Sequence, residues 1–284
     1  MLGRKTSGSV VCPSCGSLVG VNDERCYMCG RANPSLWGFG PALRQWGADL
    51  GFVPLVIGGS GVMYVLSLIA SGGLGSGGSV LNLLGPSDRA LIILGASGAY
   101  PIFVLGSWWT ILSASWLHAG LLHILFNMLA VRNIGPLTAD IIGPARTIII
   151  YVISGACGFL LSSVARVYFP ALPFLQGATL TIGASASIMG LIGALLHYGR
   201  TSGSSLIRAQ AIQWTVYIAL FGLIMPGVDN YAHAGGFIGG YLMSAVFNPL
   251  TRERGDHLLI AALCLVATVL AIAASVYKGM SLPL

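Results

Sequence analysis

Ala232-His233-Ala234-Gly235-Gly236-Phe237-Ile238-Gly239-Gly240 lies in a run, residues 230 to 248, without one Asp, Glu, Lys or Arg. Two overlapping GxxxG spacings follow the histidine, and small residues at that interval let helix backbones approach closely inside a membrane. A second run repeats the device with Ala186, Gly190 and Ala194, just after Ser185. Close packing of the two runs would bring His233 within hydrogen-bond reach of Ser185. The stretch predicts a helix bundle in a bilayer, with two reactive side chains on one seam.

The rest of the chain agrees. Its 284 residues are 55% apolar and 8% charged, against about a quarter charged in a soluble domain. Too few charges remain to clothe a water-facing surface. Runs long enough to cross roughly 30 Å of hydrocarbon as helices occur at about 51–70, 119–135, 147–168, 183–199, 208–225, 230–248 and 258–277, seven in all. The Gly- and Ser-rich stretch 71–79 reads as a loop. Residues 80–115, apolar but broken by Gly, Pro and one Asp-Arg pair, suit short interfacial pieces, with Trp108, Trp109 and Trp116 at the bilayer boundary.

With the N-terminus inside, Arg4, Lys5, Arg25, Arg31, Arg44, Arg132, Arg146, Arg200, Arg208, Arg252 and Arg254 fall on the cytosolic side and Arg89, Arg166 and Lys278 outside. Basic residues favour the cytosolic side, which orients the chain. The first 35 residues lack the basic and then apolar pattern of a cleavable signal peptide, so they are expected to be kept. The net charge of +6 does not point to nucleic acid, because the basic residues are scattered singly and form no stripe with interleaved aromatics.

Cys12-Pro13-Ser14-Cys15-Gly16 and Cys26-Tyr27-Met28-Cys29-Gly30 are two CxxCG knuckles ten residues apart. Such turns aim two thiolates at one point, and two of them complete a tetrahedral shell for zinc. A cytosolic location disfavours disulfides. With no open ligand position, one structural zinc is expected on Cys12, Cys15, Cys26 and Cys29, folding a head too small to build its own core.

Polar groups in hydrocarbon are expensive and are functional candidates by default. His118 stands at the outer entrance of the second span, with His123 and Asn127 one and two turns deeper. Ser185 opens the fourth span from the outside, and His233 lies about one turn into the sixth, so three helices bring reactive groups to one depth. A serine needs a neighbouring base to take its proton, and His123 with Asn127, on one helix face, could donate to a developing oxyanion. The competing reading is that these groups only glue helices together. His197 and His257 lie toward the cytosol and read as surface or interface residues.

At this point Gly106-Ser107-Trp108-Trp109, Trp116-Leu117-His118-Ala119-Gly120-Leu121-Leu122-His123-Ile124-Leu125-Phe126-Asn127, Gly183-Ala184-Ser185-Ala186 and Ala232-His233-Ala234-Gly235-Gly236 resemble, in order, the signature segments of the rhomboid family, over about residues 84–247. The resemblance implies an all-α polytopic membrane fold: a six-helix core with a cavity opening outward, and a seventh helix appended at the C-terminus. It implies a Ser-His dyad without an acid or a cofactor, with Ser185 as nucleophile, His233 as base, His123 and Asn127 as oxyanion donors and His118 structural or cavity-lining. Its substrates are transmembrane segments of other membrane proteins, admitted past a fifth helix that carries Trp214, Tyr217 and Phe221 here. The chain then divides into a zinc-ribbon-like head at 1–35, a linker at 36–50, the core at 51–250 and a loop with the seventh helix at 251–284, and the head has scope for a protein partner.

Three positions depart from the family pattern. Thr110 stands where an arginine is usual, Ala186 where glycine follows the serine, and Met189 where an aromatic is common. The alternative function is therefore a weak or inactive member that binds or escorts membrane clients. Other membrane chemistries lack their residues: the only lysines are Lys5 and Lys278, no Asp or Glu lies deep in a predicted span, and there is no HExxH.

Overall fold

The computed structural model describes residues 4–12, 15–40, 49–72, 75–76, 83–169 and 175–281. In the head, strands β1 (Ser9–Val11) and β2 (Leu18–Gly20) pair antiparallel with Val10 opposite Val19. Val10, Val19 and Val21 pack with Cys12 and Cys26 into a small core.

The membrane part begins with α1 (Phe52–Ala70). The loop expected at 71–79 includes β3 (Gly75–Ser76), which pairs with β4 (Leu83–Gly85); its residues 73–74 and 77–79 lie outside the described residues, as do 41–48 of the linker. The expected short pieces follow as α2 (Asp88–Ile93), a π-turn at Tyr100–Val104, α3 (Thr110–Ser113) and a 3-10 turn at Ala114–Trp116. The remaining expected spans form α4 (Leu121–Ile142), α5 (Pro144–Tyr168), α6 (Ser185–Thr201), α7 (Ser205–Ile224), α8 (Asn230–Phe247) and α9 (Gly255–Ser281).

Local chemistry sets several ends. Pro144 begins α5 at a position whose N–H would have no helical partner. Ser204 and Asp229 cap α7 and α8, their side chains accepting from the amides of Ile207 and Ala232 at 3.4 and 2.9 Å. One end differs from expectation: the second span, expected to stop before Pro136, runs through it to Ile142. Val131, Ile134 and Ile142 are packed in the core there, and Thr138 Oγ1 donates to the Ile134 carbonyl at 2.7 Å. Prolines are tolerated in bilayer helices where packing and hydroxyls compensate the lost bond.

Among the described residues, α1, α5, α7 and α9 are each long and apolar enough to cross a membrane, and α3 with α4, bent by 94°, would make a fifth span. At 17 and 18 residues, α6 and α8 are shorter. They occupy the centre, where α6 packs on α4, α5, α7 and α8 and is shielded by the rest. The architecture is a polytopic helical bundle: a six-helix core of α1 and α4 to α8, with α9 added outside.

The added helix is fastened at its N-terminal end by Arg146, which is 1% exposed. Its Nη1 donates to the Thr251 carbonyl at 2.8 Å, Nη2 to the Arg252 carbonyl at 2.9 Å and Nε to His257 Nδ1 at 3.2 Å. The backbone N–H of Arg146 donates to Glu253 Oε1 at 2.9 Å. His257 is thus an interface residue.

Candidate active site

The small residues make a backbone-to-backbone seam. A carbon added to Gly236 would overlap the Ala186 carbonyl, and one added to Gly240 would overlap the Gly190 carbonyl. The two contacts share one offset, so α6 and α8 run parallel, and the same register puts His233 level with Gly183, just before Ser185. On the third side, α5 presents Gly158 to the Ala232 carbonyl and to the Cβ of Ala186. Lower on the seam His197 Nδ1 and Ser244 Oγ are hydrogen-bonded at 3.1 Å, an interface pair far from this level.

Ser185 is the first residue of α6 and is half-buried. Its own N–H and those of the next residues lack intrahelical acceptors, and the partial positive charge of a helix start collects there. His233, in the first turn of α8, is 9% exposed, and its buried Nδ1 has no hydrogen-bond partner among the described residues. The hydroxyl and the imidazole share one level without a hydrogen bond joining them in this structure; catalytic bonds often tighten only when substrate binds.

His123 completes this level from α4. Its Nδ1 accepts from the Ala119 amide at 3.2 Å, so the neutral ring carries its proton on Nε2. A carbon added to Gly183 would stand 2.7 Å from that Nε2 and 3.8 Å from Ser185 Oγ, so both line one small space. One turn deeper, the buried Asn127 spends one amide proton on the His123 carbonyl at 2.9 Å. His118 is fully buried, with its ring edge-on to His123 at 5.1 Å between centroids.

The segment before Ser185 is held by the stretch between α2 and α4. Thr181 and Ser97 exchange backbone hydrogen bonds of 2.7 and 3.1 Å, the Gly183 amide donates to the Ala114 carbonyl at 3.0 Å, and Ser115 and Ser187 hydroxyls meet at 3.3 Å. Sequence reasoning missed these contacts, and missed Asp229. Besides capping α8, Asp229 accepts from Ser162 on α5 at 2.6 Å, and desolvation pushes its carboxyl above the ordinary carboxylate range. An Asp immediately before an apolar run was the available signal.

The departures each find an accommodation. Thr110 Oγ1 donates to the Ser107 carbonyl at 2.8 Å and lies 3.3 Å from Ser97 Oγ, the methyl of Ala186 faces Gly158, and Met189 is buried in the main core.

In the head, the four cysteine sulfurs lie within 4.8 Å of one another and could hold a metal ion. Both knuckles fold alike: the amide of Gly16 donates to the Cys12 carbonyl at 3.0 Å and that of Gly30 to the Cys26 carbonyl at 2.8 Å. Both glycines have positive φ, 75° and 70°, and no atom of the described residues lies within 4 Å of a carbon added to either, so backbone conformation selects them. Side-chain and backbone hydrogen bonds from Ser17 lower the Cys15 thiol to about 6, toward the thiolate that metals require.

Fold and site together define a multi-pass membrane protein whose serine- and histidine-bearing helices meet at one end of the bundle. Residues 105–250, just over half of the chain, match the Rhomboid domain, and the chain belongs to the rhomboid family. It is 36% identical over 176 residues to RHOMBOID-like protein 7 of Arabidopsis thaliana, covering 57% of this chain and 50% of that protein. It is 31% identical over 187 residues to Rhomboid protease GluP of Bacillus subtilis (strain 168), covering 64% and 34%. It is also 32% identical over 160 residues to Inactive RHOMBOID-like protein 8 of Arabidopsis thaliana, covering 55% and 43%. The chain spans half or less of the length of these relatives.

Proposed function

We propose that the chain is an intramembrane serine protease that cleaves transmembrane segments of other membrane proteins. The observation that carries the reading is the shared level of Ser185 and His233 on the α6–α8 seam, with the Nε2–H of His123 facing the same space. In this reading Ser185 Oγ attacks the scissile carbonyl carbon while His233 takes its proton, and the oxyanion accepts from His123, Asn127 and the amides at the head of α6. His233 then gives the proton to the leaving amine, and water hydrolyses the ester. The likeness to a relative named a rhomboid protease supports it.

The basic-residue asymmetry supports a cytosolic head and a site opening to the opposite face. The outward side of α7, including Tyr217 and Phe221, is exposed and its packing on α8 is slight, in keeping with lateral entry of a substrate helix. The second reading, a client-binding member without activity, draws on the relative named inactive and on Thr110, Ala186 and Met189. Labelling by a fluorophosphonate probe separates them: wild type in detergent or nanodiscs should react and Ser185→Ala should not. Absence of any Ser185-dependent labelling would favour the client-binding reading.

For the head we propose a zinc-ribbon-like module holding one structural zinc on Cys12, Cys15, Cys26 and Cys29. A tetrahedron with Zn–S of about 2.3 Å places sulfurs about 3.8 Å apart, and here Cys12 to Cys29 is 3.7 Å and Cys15 to Cys26 is 3.5 Å. Replacing Cys12 and Cys15 by Ser should remove the roughly one zinc per chain counted by elemental analysis and expose the head to proteolysis. Labelling of Ser185 should stay within about twofold, because the metal has no part in the chemistry. Loss of labelling with the bundle intact would contradict that separation.

A further inference from the structure

The outer end of α9 grips the loop on which the Ser185 segment hangs. Lys278 Nζ donates to the Leu105 carbonyl, and the same ammonium lies over the Trp109 ring, 5.2 Å from its centroid. One turn earlier Ser275 Oγ accepts from the Trp109 indole N–H at 3.1 Å and donates to the Ala271 carbonyl at 2.8 Å. Beside Lys278 the helix approaches α2 so closely that a carbon on Gly279 would stand 2.6 Å from the Cα of Ile93, while Ser275 Oγ also abuts Gly95. A lysine near the end of an apolar helix is costly unless it reaches water or a partner. Here it satisfies itself on a backbone carbonyl and an aromatic face, both in the loop.

That loop leads directly to the nucleophile. Trp109 precedes α3, where Ser113 Oγ donates to the Gly95 carbonyl at 2.7 Å. The next residue, Ala114, supplies the carbonyl that accepts the Gly183 amide at 3.0 Å, and Ser97 pairs with Thr181. Gly183 lines the space between His123 Nε2 and Ser185 Oγ. Hydrogen bonds at the loop's two ends, joined by the covalent chain from Leu105 through Trp109 to Ala114, thus connect Lys278 and Ser275 to the backbone that enters α6.

We propose that Lys278 and Ser275 of the seventh helix are positioning residues for the Ser185 site, holding the outer loop so that Gly183 and Ser185 keep their places beside His123. The inference rests on the catalytic reading above for its functional consequence, and on the geometry alone for the tether. Neither residue touches the reacting atoms. Each acts through Trp109 and the loop.

The test compares full-length wild type with Lys278→Met, Lys278→Arg and Ser275→Ala in nanodiscs, by amide hydrogen exchange and by cleavage of a reporter transmembrane substrate. Lys278→Met should speed exchange both at 105–117 and at 181–185, and lower kcat by about tenfold with KM within about twofold, the size of effect expected of a cation over an indole that also holds a carbonyl. Lys278→Arg keeps a cation and a donor and should restore both readouts, which a mere loss of packing would not do. Ser275→Ala, which removes a single oxygen, should show the same pattern at smaller amplitude. Unchanged exchange, or faster exchange confined to 105–109, overturns the proposal, as does an unaltered kcat where the wild type is active. If the wild type does not react with substrate or fluorophosphonate, the protease reading fails by itself, and exchange at 181–185 still decides whether the helix orders that segment.

Discussion

Ser185→Ala and His233→Ala are each expected to lower cleavage of a reporter transmembrane substrate by a factor on the order of 10³ or more, and the double variant to be no worse than either single one. Residues that act as one unit show this non-additivity, because removing either already removes the chemistry. The two side chains enter the site from parallel helices locked in register by Gly236 on Ala186 and Gly240 on Gly190, so neither substitution should disturb the seam. Thermal unfolding in detergent would verify that both variants stay folded. His123→Ala should fall by about 10² to 10³, the usual cost of one oxyanion donor. Wild-type rates in either Ser185→Ala or His233→Ala would end the dyad assignment.

The second large effect concerns stability. Gly240→Val is expected to destabilise the bundle by about 3 kcal/mol or more, as overpacking against immovable backbone does. The added carbons would meet the carbonyl, carbon and Cα of Gly190, none of which can swing aside as a side chain would. Gly58→Val on α1 is the matched control, since among the described residues nothing lies within 4 Å of its added carbon. It should change stability by no more than about 0.5 kcal/mol apart from helix propensity. Equal destabilisation of both variants would mean that the α6–α8 contact is looser than described.

The helices were legible because a bilayer imposes a long apolar run on each span, and the seven runs reappear as α1 and α4 to α9. The thiolate pairs were legible for a similar reason: CxxCG is a local turn, complete within five residues. Legibility failed where partners are remote. Nothing beside Lys278 announces Leu105, 173 residues away, and nothing beside Arg146 announces Thr251. The Pro136 boundary failed differently, because a local rule about proline was overruled by packing around Val131 and Ile142. Ser185 and His233 are read from their common depth and from the small-residue seam between their helices; the seam is present, with Gly236 on Ala186 and Gly240 on Gly190, while no hydrogen bond joins the two side chains.

Arg146 has a further implication. Five of its hydrogen bonds, counting the backbone N–H, go to residues of the segment 251–257. A chain cut after Asn248 would strip the guanidinium of those acceptors and uncover it at the same time, a larger disturbance than the loss of one peripheral helix suggests. The six-helix portion is thus expected to lose stability without the segment 251–281, and to unfold together with it in the full chain.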